Sequence, residues 1–181
     1  MLALSLMNSI AGAQPKYSIA EVERRWLVAP NSLSVVAGQP CREIEDLYVA
    51  QTLLRLRKMT GNTGEVVYKL CKKYDKNASL SQPITNLYLT EAEYRVLASL
   101  KGNAVRKQRY SVAGGSIDVY PGSPVVALFE VEFKTEREAE QYVPPSFVGE
   151  EVTRNAYYSG AALAARVASP LAEPDSPLRA I

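Results

Sequence analysis

The chain has 181 residues, 47% of them apolar and 22% charged, with a formal net charge of +2. That is one soluble globular domain's worth of core, with no global charge to draw it to nucleic acid or to a membrane. The absence of histidine excludes a His-based triad, a His-ligated zinc site and an imidazole base, and two cysteines, Cys41 and Cys71, make neither a disulfide scaffold nor a zinc spacing.

Residues 1–17 read as a flexible leader. The segment from Met1 to Ala13 is apolar but has no basic residue ahead of it and is broken by Ser5, Asn8 and Ser9, unlike a secretory signal. Strand-like alternation then marks 18–28, 52–59, 65–71, 84–89, 104–112, 116–120 and 125–133. Gly61-Asn62-Thr63-Gly64, Gly102-Asn103, Gly114-Gly115 and Pro121-Gly122 are the turn signals between them. Thr90 and Thr135 are N-caps for helices over 91–100 and 136–142, with Glu93 and Glu138 at the third helical position. Residues 155–168 form a last helix. Residues 169–181, rich in Pro and Ser, read as a disordered tail. The expectation is a single domain over 18–168: α+β, mainly antiparallel β, a barrel or strongly curved sheet with a few packed helices.

The charged faces of the strands carry the functional signal. Side chains two apart share a face. Glu21, Glu23 and Arg25 therefore lie together, as do Glu130 and Glu132, Arg55 and Arg57, and Lys107 and Arg109. Asp118 stands opposite Ile117 and Val119. One such strand is the ordinary solvated face of an antiparallel sheet. Several single-signed strands are different, because like charges at i and i+2 repel unless an opposite charge lies between them. Paired carboxylates suit a divalent cation and paired Arg and Lys suit an oxyanion. A barrel lined with both would hold a metal–polyphosphate complex.

The segment Glu21-Val22-Glu23-Arg24-Arg25-Trp26-Leu27-Val28 resembles the opening signature of the CYTH superfamily, the triphosphate tunnel metalloenzymes. The resemblance continues in family order through Asp46-Leu47-Tyr48-Val49, Arg55-Leu56-Arg57, Lys107-Gln108-Arg109-Tyr110, Ile117-Asp118-Val119-Tyr120 and Phe129-Glu130-Val131-Glu132-Phe133. It ends on Val148-Gly149-Glu150-Glu151-Val152-Thr153, covering about residues 18–165. It implies a closed eight-stranded antiparallel barrel with flanking helices, and Mg²⁺- or Mn²⁺-dependent hydrolysis of inorganic triphosphate; two cysteines read as reduced thiols point to the cytoplasm, and a monomer or homodimer is expected. By position it implies Glu21, Glu23, Asp118, Glu130, Glu132 and Glu151 as metal ligands. Arg55, Arg57, Lys107, Arg109 and Lys69 (with Lys72 as its rival) would grip the substrate. Arg25 and Tyr48 would act on the attacking water.

The chain departs from the family pattern in three respects. Arg25 replaces a Lys, Ile84 and Asn86 stand where two acids are usual, and Ser159-Gly160 replace an Asn near Tyr157 and Tyr158. The alternatives are a thiamine triphosphatase or an adenylate cyclase, which need an aromatic platform such as Tyr88 or Tyr120. From another class, a polyphosphate- or nucleotide-binding module without turnover remains open. A lipocalin-like carrier would need an apolar lumen.

Overall fold

A computed structural model describes residues 15–74, 80–122 and 124–167. The leader up to residue 14 and the tail from residue 168 lie outside the described residues. Among the described residues nine strands are present: β1 (Ile19–Val28), β2 (Cys41–Val49), β3 (Leu54–Thr60), β4 (Val66–Lys73), β5 (Ser81–Leu89), β6 (Gly102–Val112), β7 (Gly115–Tyr120), β8 (Val126–Phe133) and β9 (Val148–Glu151). Three α-helices accompany them: α1 (Glu91–Leu97), α2 (Glu136–Gln141) and α3 (Gly160–Val167). The hydrogen-bonded order β5-β4-β3-β2-β6-β7-β8-β1 closes on itself through β1–β5, giving an eight-stranded antiparallel barrel. The ninth strand, β9, pairs with the C-terminal part of β1 at Trp26 and Val28, beyond the stretch from Ile19 to Val22 that β5 occupies. Closure removes the unpaired edges that an open sheet would expose. Among the described residues no helix is long and apolar enough to cross a membrane.

Turn and cap chemistry sets the boundaries. The β6–β7 hairpin turns on Ala113 and Gly114, both at positive φ (49° and 77°), as a tight two-residue turn requires. Thr90 caps α1 in a full capping box with Glu93, and Thr135 accepts from the Glu138 amide to start α2. Strands β2 and β9 and the last helix differ from the sequence expectation. The eighth barrel strand, β2, carries no apolar alternation, because the face with Arg42, Ile44, Asp46 and Tyr48 and the face with Glu43, Glu45 and Leu47 both mix charged with apolar residues. The last helix is shorter, because Asn155 caps a 3₁₀ turn over Ala156–Tyr158 before α3 begins.

The apolar core lies on both sides of the barrel wall. Outside it, Trp26, Ile117, Phe129 and Val131 are covered by Leu33, Val36, Tyr142 and Phe147, from the 3₁₀ segment Pro30–Val36 and the α2–β9 region. Inside one end, Leu163 and Ala164 of α3 pack on the lumen-facing Val105, Tyr120 and Leu128. The helix thereby fills part of the bore and leaves the polar remainder as a cavity.

Candidate functional site: a charged lumen

Directly opposed residues of an antiparallel pair share a face. The registers therefore trace one face around the whole barrel. Glu23 opposes Glu132, and Glu130 opposes both Arg25 and Ser116. Asp118 opposes Arg109, and Ile44, on the same face as Asp46 and Tyr48, opposes Lys107. Asp46 and Tyr48 oppose Arg57 and Arg55; these in turn oppose Lys69 and Cys71. Lys73 opposes Ile84, and Gln82 opposes Glu21, where the circuit began. The acidic and basic doublets thus converge on one lumen, with a cavity of about 730 Å³ lined by Glu21, Glu23, Arg25, Tyr48, Arg55, Arg57, Lys73, Lys107, Arg109, Glu130 and Glu132.

The lumen holds an acidic centre beside a basic wall. One carboxylate oxygen from each of Glu21, Glu23 and Glu132 lies within 4.8 Å of the others. Lys73 Nζ donates to Glu21, and Arg25 Nε is 3.2 Å from Glu23. Burial opposes ionisation of Glu23, yet Lys73 and Arg25 hold its carboxyl below the ordinary value. Hard oxygen donors grouped in this way could hold a metal cation.

The basic wall is braced by two fully buried acids. Asp46 accepts from Arg57 Nε and Nη2 at 2.6 and 2.7 Å, with Arg55 Nε at 3.9 Å. Asp118 accepts from Arg109 at 2.5 and 2.6 Å and from Lys107 Nζ. Burial alone would raise both acids, but the facing cations drive them well below the carboxylate range. Burial and the nearby Arg109 push Lys107 down. Arg109 also reaches Glu130 at 2.8 Å. Burial, with Asp118 and Glu23 close by, raises Glu130 to about 7. Arg55 Nε is buried without a hydrogen-bond partner, so it retains donor capacity, whereas Arg25 Nε is engaged in its ion pair with Glu23.

The expected site residues fall in different places around the wall. Asp118 and Glu130 are engaged with cations and do not join the carboxylate trio. Glu151 lies opposite Trp26, on the outer side of the wall, where Arg24 Nε and Nη2 bind it at 3.0 and 2.5 Å and Thr153 Oγ1 donates at 2.6 Å. One register step decided this, because Glu151 opposes Trp26 and so lies on the face of the wall that carries Arg24 and Trp26. Lys69 faces the lumen and Lys72 does not. However, Lys69 Nζ sits 4.8 Å from the Tyr88 ring centroid, away from the cavity lining. Lys73 is the β4 cation in the cavity. Its parity with Lys69 was the available signal.

Arg25 is anchored rather than free. Its guanidinium donates to the Tyr158 carbonyl at 2.8 Å and the Thr153 carbonyl at 3.3 Å, fastening the C-terminal segment across the lumen. Tyr48 lies against Gly160, where an added Cβ would come within 1.9 Å of the Tyr48 hydroxyl.

The fold and lumen together define a class: closed antiparallel barrels whose bore opposes carboxylates to cations. Among proteins of known activity, the inorganic triphosphatase of Nitrosomonas europaea is 30% identical over 155 residues, 81% of this chain and 97% of the relative. The chain therefore belongs to the CYTH family of triphosphate tunnel metalloenzymes. Two crystal structures also match. That of a hypothetical protein is 27% identical, covering 80% of this chain and 96% of that one at a TM-score of 0.45. That of an inorganic triphosphatase is 26% identical, covering 81% and 95% at a TM-score of 0.46. No protein-family model matches the chain.

Proposed function

We propose that this protein hydrolyses inorganic triphosphate to diphosphate and phosphate in the barrel lumen, with Mg²⁺ or Mn²⁺ as cofactor. The observation that carries the reading is the facing of the Glu21/Glu23/Glu132 trio and the Arg55, Arg57, Lys107 and Arg109 wall across one cavity. Triphosphate hydrolysis asks mainly for charge neutralisation and alignment. The guanidinium groups of Arg55, Arg57 and Arg109 bind phosphoryl oxygens in forked geometry, and Asp46 and Asp118 keep those side chains extended. Glu21, Glu23 and Glu132 would hold the divalent ion, which would supply charge neutralisation at the phosphate and a lowered pKa of bound water.

Arg25 keeps its proton and serves as a positioning residue, orienting Glu23 and fixing the segment from Thr153 to Tyr158. Tyr48, beside Arg55, closes the cavity wall. A neutral phenol suits this place, since burial and Asp46 raise its pKa. Glu130 holds Arg109 and completes the lumen face opposite Arg25.

An inorganic substrate is favoured over thiamine triphosphate or ATP by the cavity lining. Its aromatic residues are Tyr48 and Tyr120, and Tyr120 is 2% exposed, packed on α3 and bonded to Lys107. Tyr88, though 72% exposed, is not in the lining. The test is phosphate release from tripolyphosphate, thiamine triphosphate, ATP and longer polyphosphate, each with Mg²⁺, Mn²⁺ or EDTA. Metal-dependent release from tripolyphosphate first among these is expected. Tight tripolyphosphate binding without release would instead select a binding module.

A further inference from the structure

Three carboxylates within 4.8 Å of one another need positive charge among them even when no metal is bound. Two side chains supply it, and they differ in freedom. Arg25 is held by the carbonyls of Tyr158 and Thr153 as well as by Glu23. Lys73 donates to Glu21 from the last residue of β4, at the end of the barrel, and its side chain remains 31% exposed. Four rotatable bonds and a solvent-facing position let its ammonium move without disturbing the wall.

Where it can go is set by register. Lys73 lies two residues beyond Cys71, which opposes Arg55, so its stem is on the lumen face next to the cation whose Nε has no hydrogen-bond partner. We propose that Lys73 is a displaceable counter-ion: it occupies the acidic trio in the metal-free protein and leaves Glu21 for the polyanion when a divalent cation takes its place. This rests on the reading of the trio as the metal site. Metal and anion binding are then linked through one side chain. The ammonium that competes with the metal becomes an extra phosphate ligand once displaced.

The linkage makes an unusual demand, that deleting a cation should improve metal binding while harming anion binding. The test uses the full chain and no substrate. Mn²⁺ affinity is read from the electron paramagnetic resonance of free Mn²⁺ for the wild type, Lys73→Gln, Lys73→Met, Lys73→Arg and Glu23→Gln, each checked for a cooperative melt.

Lys73→Gln and Lys73→Met are expected to bind Mn²⁺ on the order of tenfold more tightly, as removal of a unit charge a few ångströms away implies. Lys73→Arg should stay near the wild type. With Mn²⁺ saturating, calorimetric titration with a non-hydrolysable triphosphate analogue should show weaker binding to Lys73→Gln, whereas in EDTA, with Lys73 held on Glu21, wild type and variant should differ little. Unchanged or weaker Mn²⁺ binding in both folded neutral variants would overturn the proposal, even where Glu23→Gln loses Mn²⁺ as it should. Wild-type Mn²⁺ affinity in Glu23→Gln would instead remove the metal-site reading, and the proposal with it.

Discussion

Glu130 offers a sharp test of the lumen electrostatics. Its carboxyl faces Asp118 and Glu23 and is 13% exposed, so its pKa rises from 4.5 to about 7 despite Arg109 at 2.8 Å. A carboxyl raised in the folded state keeps its proton where the unfolded chain has lost it. The native state therefore binds more protons between pH 4.5 and 7, and stability falls as pH rises through that window. The penalty is absent below the unfolded value and complete above about 7. A shift of this size corresponds to roughly 3 kcal/mol.

Glu130→Gln removes the charge and keeps an acceptor oxygen for Arg109. In EDTA, denaturant unfolding should give equal stability for wild type and variant near pH 4.5. At pH 8 the variant should be more stable by about 2–3 kcal/mol. A variant no more stable than wild type at pH 8, or one whose gain is the same at both pH values, would refute the assignment.

Asp46→Asn leaves Arg57 buried without its counter-charge and should destabilise the fold by about 3–5 kcal/mol by denaturant midpoint. Ala113 carries a side chain at φ 49° in the β6–β7 turn, so Ala113→Gly should raise stability by about 1 kcal/mol in the same assay. Gly160→Ala places a methyl against the Tyr48 hydroxyl and should cost about 1–3 kcal/mol. Its near-ultraviolet circular dichroism should change as Tyr48 moves.

The barrel was legible because alternation fixes the face of each strand. Seven strands and the lumen parity of Glu21, Glu23, Arg55, Arg57, Lys107, Arg109, Glu130 and Glu132 follow from period two alone. What alternation cannot supply is where each strand stands along the bore. Lys69 and Lys73 have the same parity but serve different places, because the stagger of β4 against β5 and β1 brings only Lys73 to Glu21. Glu151 has the residue type of a ligand, yet its pairing with Trp26 turns it outward to Arg24. Asp46 and Asp118 read as further acids, and only the buried pairing shows that they brace cations.

Charge balance ties these observations together. Fully buried acids do not ionise without close cations, and buried cations do not stay charged without acids. Asp46 with Arg57, and Asp118 with Lys107 and Arg109, are such matched sets, so they can hold their geometry whether or not the lumen is filled. The trio is different. Its acids are partly exposed, one of its two cations is a lysine at the barrel end, and Arg55 opposite it retains an unused donor. The wall is thus built to stay fixed and the trio to exchange partners, the division of labour that binding a metal and a polyanion in one bore requires.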